Sequence, residues 1–184
     1  MNKLTFTQTR LKDAFVIEPV VNADERGHFI RTFCGREFEA RGLGSRTAQA
    51  NLSFNFKKGT LRGMHIQKAP HSEAKLVSCV RGAVHDIIVD LREGSPTYKD
   101  WFGIDLTEDN LRSLYVPGGF AHGYLTLEDR TSVSYLVSEF YTPGSETGLR
   151  HDDPALGLKW PIPPILVSDK DLNWPDLNKE AFRS

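Results

Sequence analysis

The sequence predicts an all-β domain, a sandwich or barrel, from three observations. Short runs rich in β-branched and aromatic residues recur along its 184 residues, Gly, Pro, Asn and Asp separate them, and helix signals are few. A chain of this length with 39% hydrophobic and 26% charged residues can bury one core, so a single domain over residues 1–184 is expected.

Nine strands follow from this pattern: 14–20, 27–33, 59–67, 74–81, 83–91, 101–106, 113–116, 121–127 and 131–141. Turn chemistry separates them. Arg81-Gly82 divides the fourth run from the fifth, Glu93-Gly94-Ser95-Pro96 closes the fifth, and Val116-Pro117-Gly118-Gly119 forces irregular backbone before Phe120. Helical turns are expected at 35–40, at 107–110 where Thr107 can cap, and near the C-terminus. The stretch 152–175, rich in Pro and Trp, is expected to pack as ordered irregular chain against the barrel.

Alternation puts every second strand residue on one face. In 83–91, His85, Ile87, Val89 and Leu91 oppose Asp86, Ile88 and Asp90, and the mostly apolar face suits a barrel interior. In 131–141, Val133, Tyr135, Val137, Glu139 and Tyr141 share a face, so Tyr135 and Tyr141 should point together.

Composition excludes several classes. A net charge of −1 provides no basic footprint for nucleic acid, so an anionic ligand must be held by a local cluster of Arg, Lys and His. The start Met1-Asn2-Lys3-Leu4-Thr5-Phe6 lacks the apolar segment of a signal peptide, and no run approaches the roughly 20 apolar residues that cross a bilayer. A cytoplasmic protein without membrane contact is expected. Cys34 and Cys79 stand outside any metal-ligand spacing, and Cys79 reads as core filling.

The stretch from Lys57 to Gln67 carries the first chemistry. On a regular strand Arg62 and His65 fall on opposite faces, and Gly63 between them supplies the place for a bulge that would bring them together. Lys75 lies on the next strand, His122 follows the Gly118-Gly119 turn, and Tyr135 occupies the strand after that. Lining one cavity, these residues would supply a base, a cation, a second imidazole and a phenol. Such a set suits removing a proton from carbon beside a carbonyl and returning one from the opposite face. His85 reads as a structural histidine. Metal-dependent barrels of this kind use an H-x-H run, whereas Gly63-Met64-His65-Ile66-Gln67 offers one His; no metal and no cofactor are expected.

Several short motifs, in order, carry a resemblance. They are Asp24-Glu25-Arg26-Gly27, Gln49 with Asn51, Leu61-Arg62-Gly63-Met64-His65, Ala74-Lys75-Leu76-Val77, Val116-Pro117 with Phe120-Ala121-His122-Gly123, and Ser168-Asp169-Lys170-Asp171. With them the chain resembles the dTDP-4-dehydrorhamnose 3,5-epimerase family over about residues 15–176. The resemblance implies a cupin jelly-roll β-barrel with a few short peripheral helices, acting on a nucleotide-linked 4-keto-6-deoxy sugar at C3, C5 or both in deoxysugar biosynthesis.

Position by position, the resemblance implies His65 as general base, Asp171 as its carboxylate partner, Tyr135 as the acid on the other side of the sugar, and Lys75 as the cation near the C4 oxygen. Asp169 is an alternative partner for His65. Arg62 and His122 match groups around the phosphates and sugar, and Arg26, Phe29, Gln49 and Asn51 match substrate-binding positions, with Tyr141 a further candidate. In the family two barrels exchange N-terminal strands, and the positions of Arg26 and Phe29 reach the neighbouring site; a homodimer is therefore expected. Ile66, His28, Arg31 and Leu52 stand where Tyr, Phe, Glu and His are frequent, which leaves the nucleotide, the sugar and the epimerised carbon open. A single-carbon epimerase and a non-catalytic sugar-binding barrel are the alternatives.

Overall fold

A computed structural model of the chain describes residues 4–177. Its strands are β1 (Leu4–Gln8), β2 (Phe15–Pro19), β3 (Asn22–Asp24), β4 (Gly27–Phe29), β5 (Gln49–Asn55), β6 (Thr60–Gln67), β7 (Lys75–Arg81), β8 (Ala83–Asp90), β9 (Trp101–Thr107), β10 (Ser113–Val116), β11 (Phe120–Thr126), β12 (Thr131–Val137), β13 (Glu146–Gly148) and β14 (Leu166–Val167). Two short helices, α1 (Gly35–Glu39) and α2 (Asp169–Leu172), lie outside the sheets.

A six-stranded sheet in the order β1-β2-β10-β7-β12-β5 packs against a five-stranded sheet in the order β13-β6-β11-β8-β9, and β14 joins β6 in parallel. The remaining pairings within both sheets are antiparallel, which together makes a cupin-type jelly roll. The hairpin β3–β4 stands apart, exposed along its length.

Three apolar clusters hold these layers. Val77, Cys79, Val84, Ile88, Leu106, Leu114, Phe120 and Val133 come from both sheets and form the inter-sheet core. Met64, Ile87, Val89 and Ala121, on the outer face of the five-stranded sheet, are covered by Leu149, Leu156, Leu158, Trp160 and Leu177. Ile17, Leu76 and Tyr115, on the outer face of the other sheet, are covered by Phe38 of α1 and Leu43. The segment after residue 152 thus packs as ordered chain on a sheet, as its composition predicts.

The expected strands at 14–20, 59–67, 74–81, 83–91, 101–106, 113–116 and 121–127 match β2 and β6 to β11 within a residue or so at each end. Others need correction. The strand expected at 27–33 stops at Phe29, and that at 131–141 stops at Val137. β1, β3, β5, β13 and β14 were not foreseen from the pattern. In β5 the alternation is inverted: Ala50, Leu52 and Phe54 are exposed, while Gln49, Asn51, Ser53 and Asn55 are more buried. A strand with its polar side inward carries no amphipathic signal for a normal core. At 107–110 the expected short turn forms, with the Asn110 N–H donating to Thr107 Oγ1 at 2.9 Å.

The interior face of β8 also differs from expectation. Val84 and Ile88, which share a face with Asp86 and Asp90, belong to the inter-sheet core, whereas Ile87 and Val89 lie under the C-terminal segment. Both faces of β8 are buried, so the more apolar one is not thereby the inside.

Candidate active site

A cavity of about 330 Å3 opens between the two sheets, and most of the residues that line it carry a polar side-chain group. The five-stranded sheet contributes Arg62, His65, Gln67, His122 and Tyr124; the six-stranded sheet contributes Gln49, Asn51, Ser53, Lys75 and Tyr135.

Arg62 and His65 reach the same cavity because β6 bulges. His122 of β11 registers with His65 but Tyr124 with Arg62, so three steps along β6 oppose two along β11. Gly63 permits this. Its φ is +129°, and a Cβ there would sit 2.5 Å from Gly123 Cα, so no other residue fits without displacing the neighbouring strand.

His65 Nε2 lies 2.6 Å from Asp171 Oδ1. The helix start explains why Asp171 and not Asp169 makes this contact. Ser168 caps α2 by accepting the Asp171 N–H, which sets Asp171 on the buried side of the single turn, while Asp169 is exposed. Gly63 N–H donates to Asp171 Oδ2 at 3.2 Å and Trp174 Nε1–H to Oδ1 at 3.2 Å. Burial opposes ionisation of Asp171, but the His65 bond, the His65 charge and the Gly63 and Trp174 donors outweigh it and hold the carboxyl below its ordinary value.

Lys75 opens β7 at the cavity wall, only 9% exposed, in contact with the Glu73 carboxylate. Burial pushes its ammonium down to about 8, against the pull of Glu146. Tyr135 stands on the opposite sheet from His65, registered between Asn51 and Val77. Tyr124 Oη lies 2.6 Å from Ser53 Oγ and 3.4 Å from Asn55 Nδ2, and Arg62 Nε donates to Asn55 Oδ1 at 2.8 Å. Burial, opposed by these bonds, raises the Tyr124 phenol.

Among the expected site residues, His65, Lys75, Tyr135, Gln49, Asn51, Arg62, His122 and Tyr141 line one cavity, with Asp171 directly behind His65. Tyr141 arrives by a different route from the strand alternation expected for it: it follows the end of β12, and its N–H donates to Gln49 Oε1 at 2.8 Å. Arg26 and Phe29 are not part of this lining; they lie on the exposed β3–β4 hairpin, where Arg26 pairs with Asp24 at 2.5 Å. Glu73, Glu146, Ser53 and Tyr124 line the cavity without having been singled out. Two-residue spacing from Lys75, Asn51 and His122 is the signal that could have found Glu73, Ser53 and Tyr124. His85 sits elsewhere, its Nδ1 2.6 Å from Asp105 Oδ1. Cys79 is in the inter-sheet core, its thiol pushed up to about 11 by burial. Among the described residues no group of three His, Cys, Asp or Glu is arranged to hold a metal ion.

A jelly roll whose interior bears a histidine–carboxylate pair, a buried lysine and a tyrosine on the facing sheet defines a cupin-type enzyme. Comparison with known proteins narrows this: a family model described as dTDP-4-dehydrorhamnose 3,5-epimerase matches residues 8–179. The chain belongs to that family, and it is an isomerase of the epimerase class. It is 41% identical over 182 residues to a dTDP-4-dehydrorhamnose 3,5-epimerase of Methanothermobacter thermautotrophicus, covering 97% of each chain. The crystal structure of the Bacillus anthracis 3,5-epimerase with TDP and PPi bound superposes with a TM-score of 0.92 at 39% identity, covering 95% of this chain and 100% of that one. A dTDP-4-dehydrorhamnose 3-epimerase of Streptomyces niveus is 41% identical over 162 residues, 88% of this chain and 78% of that protein.

Proposed function

We propose that this enzyme epimerises dTDP-4-dehydro-6-deoxyglucose at C3 and C5, with His65 as the base and Tyr135 as the acid. The observation that carries the assignment is the His65–Asp171 pair on one sheet and Tyr135 on the other, lining the same cavity. With Nε2–H donated to Asp171, the neutral imidazole keeps its lone pair on Nδ1, the atom that takes the proton from the sugar carbon. Asp171 then faces the imidazolium that forms and stabilises it. The electrons left by the proton move onto the C4 oxygen, where the Lys75 ammonium offsets the developing enolate charge. Tyr135 protonates the same carbon from the other face, which inverts it.

Arg62 and His122 hold diphosphate and sugar oxygens, and Gln49, Asn51 and Tyr141 border the remaining substrate. The bound TDP of the Bacillus anthracis relative supports thymidine as the nucleoside. The exposure of Arg26 and Phe29 on their hairpin supports the reading that they serve the site of a second copy, in a homodimer of single-domain chains. No described helix is long and apolar enough to cross a membrane, and a nucleotide-sugar substrate points to the cytoplasm.

Incubation with dTDP-4-dehydro-6-deoxyglucose in D2O, followed by NMR, tests the reading. Deuterium at both C3 and C5 is expected. Exchange at neither carbon, from folded protein, overturns it. A second reading, epimerisation at C3 alone, is favoured by the 3-epimerase relative; deuterium confined to C3 would select it.

A further inference from the structure

We propose that Asp86 is a positioning residue for His122, fixing the imidazole so that Nδ1 is the nitrogen offered to the substrate; this rests on the reading of His122 as a ligand contact. Asp86 sits on the interior face of β8, registered with Tyr124 of β11 and Ile104 of β9, and is 0% exposed. Val84 and Ile88, two residues away on either side, belong to the inter-sheet core. A carboxylate here is costly, and an apolar residue would suit the site better.

Two other buried carboxylates show what a structural role looks like. Asp90, on the same face of β8, accepts from Arg92, Ser95 and Thr97 and ties down the following loop. Asp153 accepts the backbone N–H groups of Ala155 and Leu177 and anchors the C-terminal segment. Asp86 does neither. Its Oδ2 lies 2.9 Å from His122 Nε2, and its Oδ1 has no hydrogen-bond partner among the described residues. Among the described residues its hydrogen bond is thus with an imidazole that lines the cavity. A buried polar group left half-satisfied calls for an explanation other than folding.

The contact has a defined consequence. Whether the ring carries one proton or two, the Nε2–H is committed to Asp86, and the ring plane is fixed with it. Nδ1 is then the ring nitrogen left to the substrate, accepting from a sugar hydroxyl when the ring carries one proton and donating to a phosphate oxygen when it carries two. Without Asp86 both tautomers and a second ring orientation become accessible, and the contact is made only part of the time.

Steady-state kinetics with dTDP-4-dehydro-6-deoxyglucose test this in four variants. Asp86→Leu removes a desolvated carboxylate but also the acceptor of the His122 Nε2–H, so stability should change little while KM rises about tenfold and kcat falls much less. Asp86→Asn keeps an acceptor for Nε2–H and should restore most of the affinity, which also covers a failure of the Leu variant to fold. His122→Ala should raise KM, and adding Asp86→Leu to it should raise KM no further, because the carboxylate acts through the ring. The 15N shifts of the His122 ring should report one tautomer in the parent and a mixture in Asp86→Leu. A raised KM in His122→Ala with an unchanged KM in Asp86→Leu, or a penalty from Asp86→Leu that persists in the His122→Ala background, overturns the positioning role alone. An unchanged KM in His122→Ala overturns the ligand contact, and the positioning role with it.

Discussion

The two faces of the five-stranded sheet are built to opposite rules. Outward, Met64, Ile87, Val89 and Ala121 meet the apolar side chains of the C-terminal segment. Inward, the same three strands present Arg62, His65, His122 and Tyr124 to the cavity, with Asp86 behind them. The difference teaches that stability and chemistry are separated by one residue of strand phase: odd positions of β8 hold the tail, and even positions serve the interior. Within the inner face the two histidine pairs differ again. Asp171 is satisfied by His65, Gly63 and Trp174, whereas among the described residues Asp86 is hydrogen-bonded to His122 alone.

Substitutions on the two faces should therefore fail in different ways. The largest effect is expected from His65→Ala, which should lower turnover and deuterium exchange by about 10³-fold or more while the thermal midpoint and dTDP binding stay close to those of the parent. Exchange at the parental rate would remove His65 from the chemistry. Ile87→Ala, one sheet thickness away, should cost about 3 kcal/mol of stability in urea titration and leave kcat/KM of the folded fraction unchanged. A loss of kcat/KM at constant stability would break the division between the faces.

Asp171→Asn should reduce kcat about 100-fold, since His65 loses its charged partner but keeps a hydrogen-bond acceptor. The carboxyl lies below its ordinary 3.8 in the folded protein, so its stabilisation is present above that value and is lost as pH falls through the folded-state value. Melting curves below about pH 4 should consequently be less pH-dependent in Asp171→Asn than in the parent.

The smallest effect concerns Lys75. Held down to about 8 from 10.5, it sheds its proton in the folded state before the unfolded one, so its charged form costs stability below about pH 8 and that cost fades as pH rises towards 10.5. Activity that depends on the ammonium should fall with an apparent pKa of about 8, and the residual exchange of Lys75→Met should lack that alkaline limb.

Much of this was legible in residue order. Gly63 marked the bulge that brings Arg62 and His65 to one side, and the succession Lys75, His122, Tyr135 already named three strands of one cavity. These features depend on local chain geometry: the twofold period of a strand and the freedom of a residue without Cβ. The choice of Asp171 over Asp169 was not local, because it depends on which side of a capped helical turn faces β6. Nor was the interior of β8 and β5. A strand pattern tells only that two faces exist; which one is inside depends on what the second sheet and the C-terminal segment cover. The sequence by itself determined an all-β chain and the order of its polar side chains. The tertiary structure alone decided that the polar sides of β5 and β8 face inward, that Asp171 meets His65, and that Asp86 meets His122, since contacts between residues distant in sequence exist only once the sheets close.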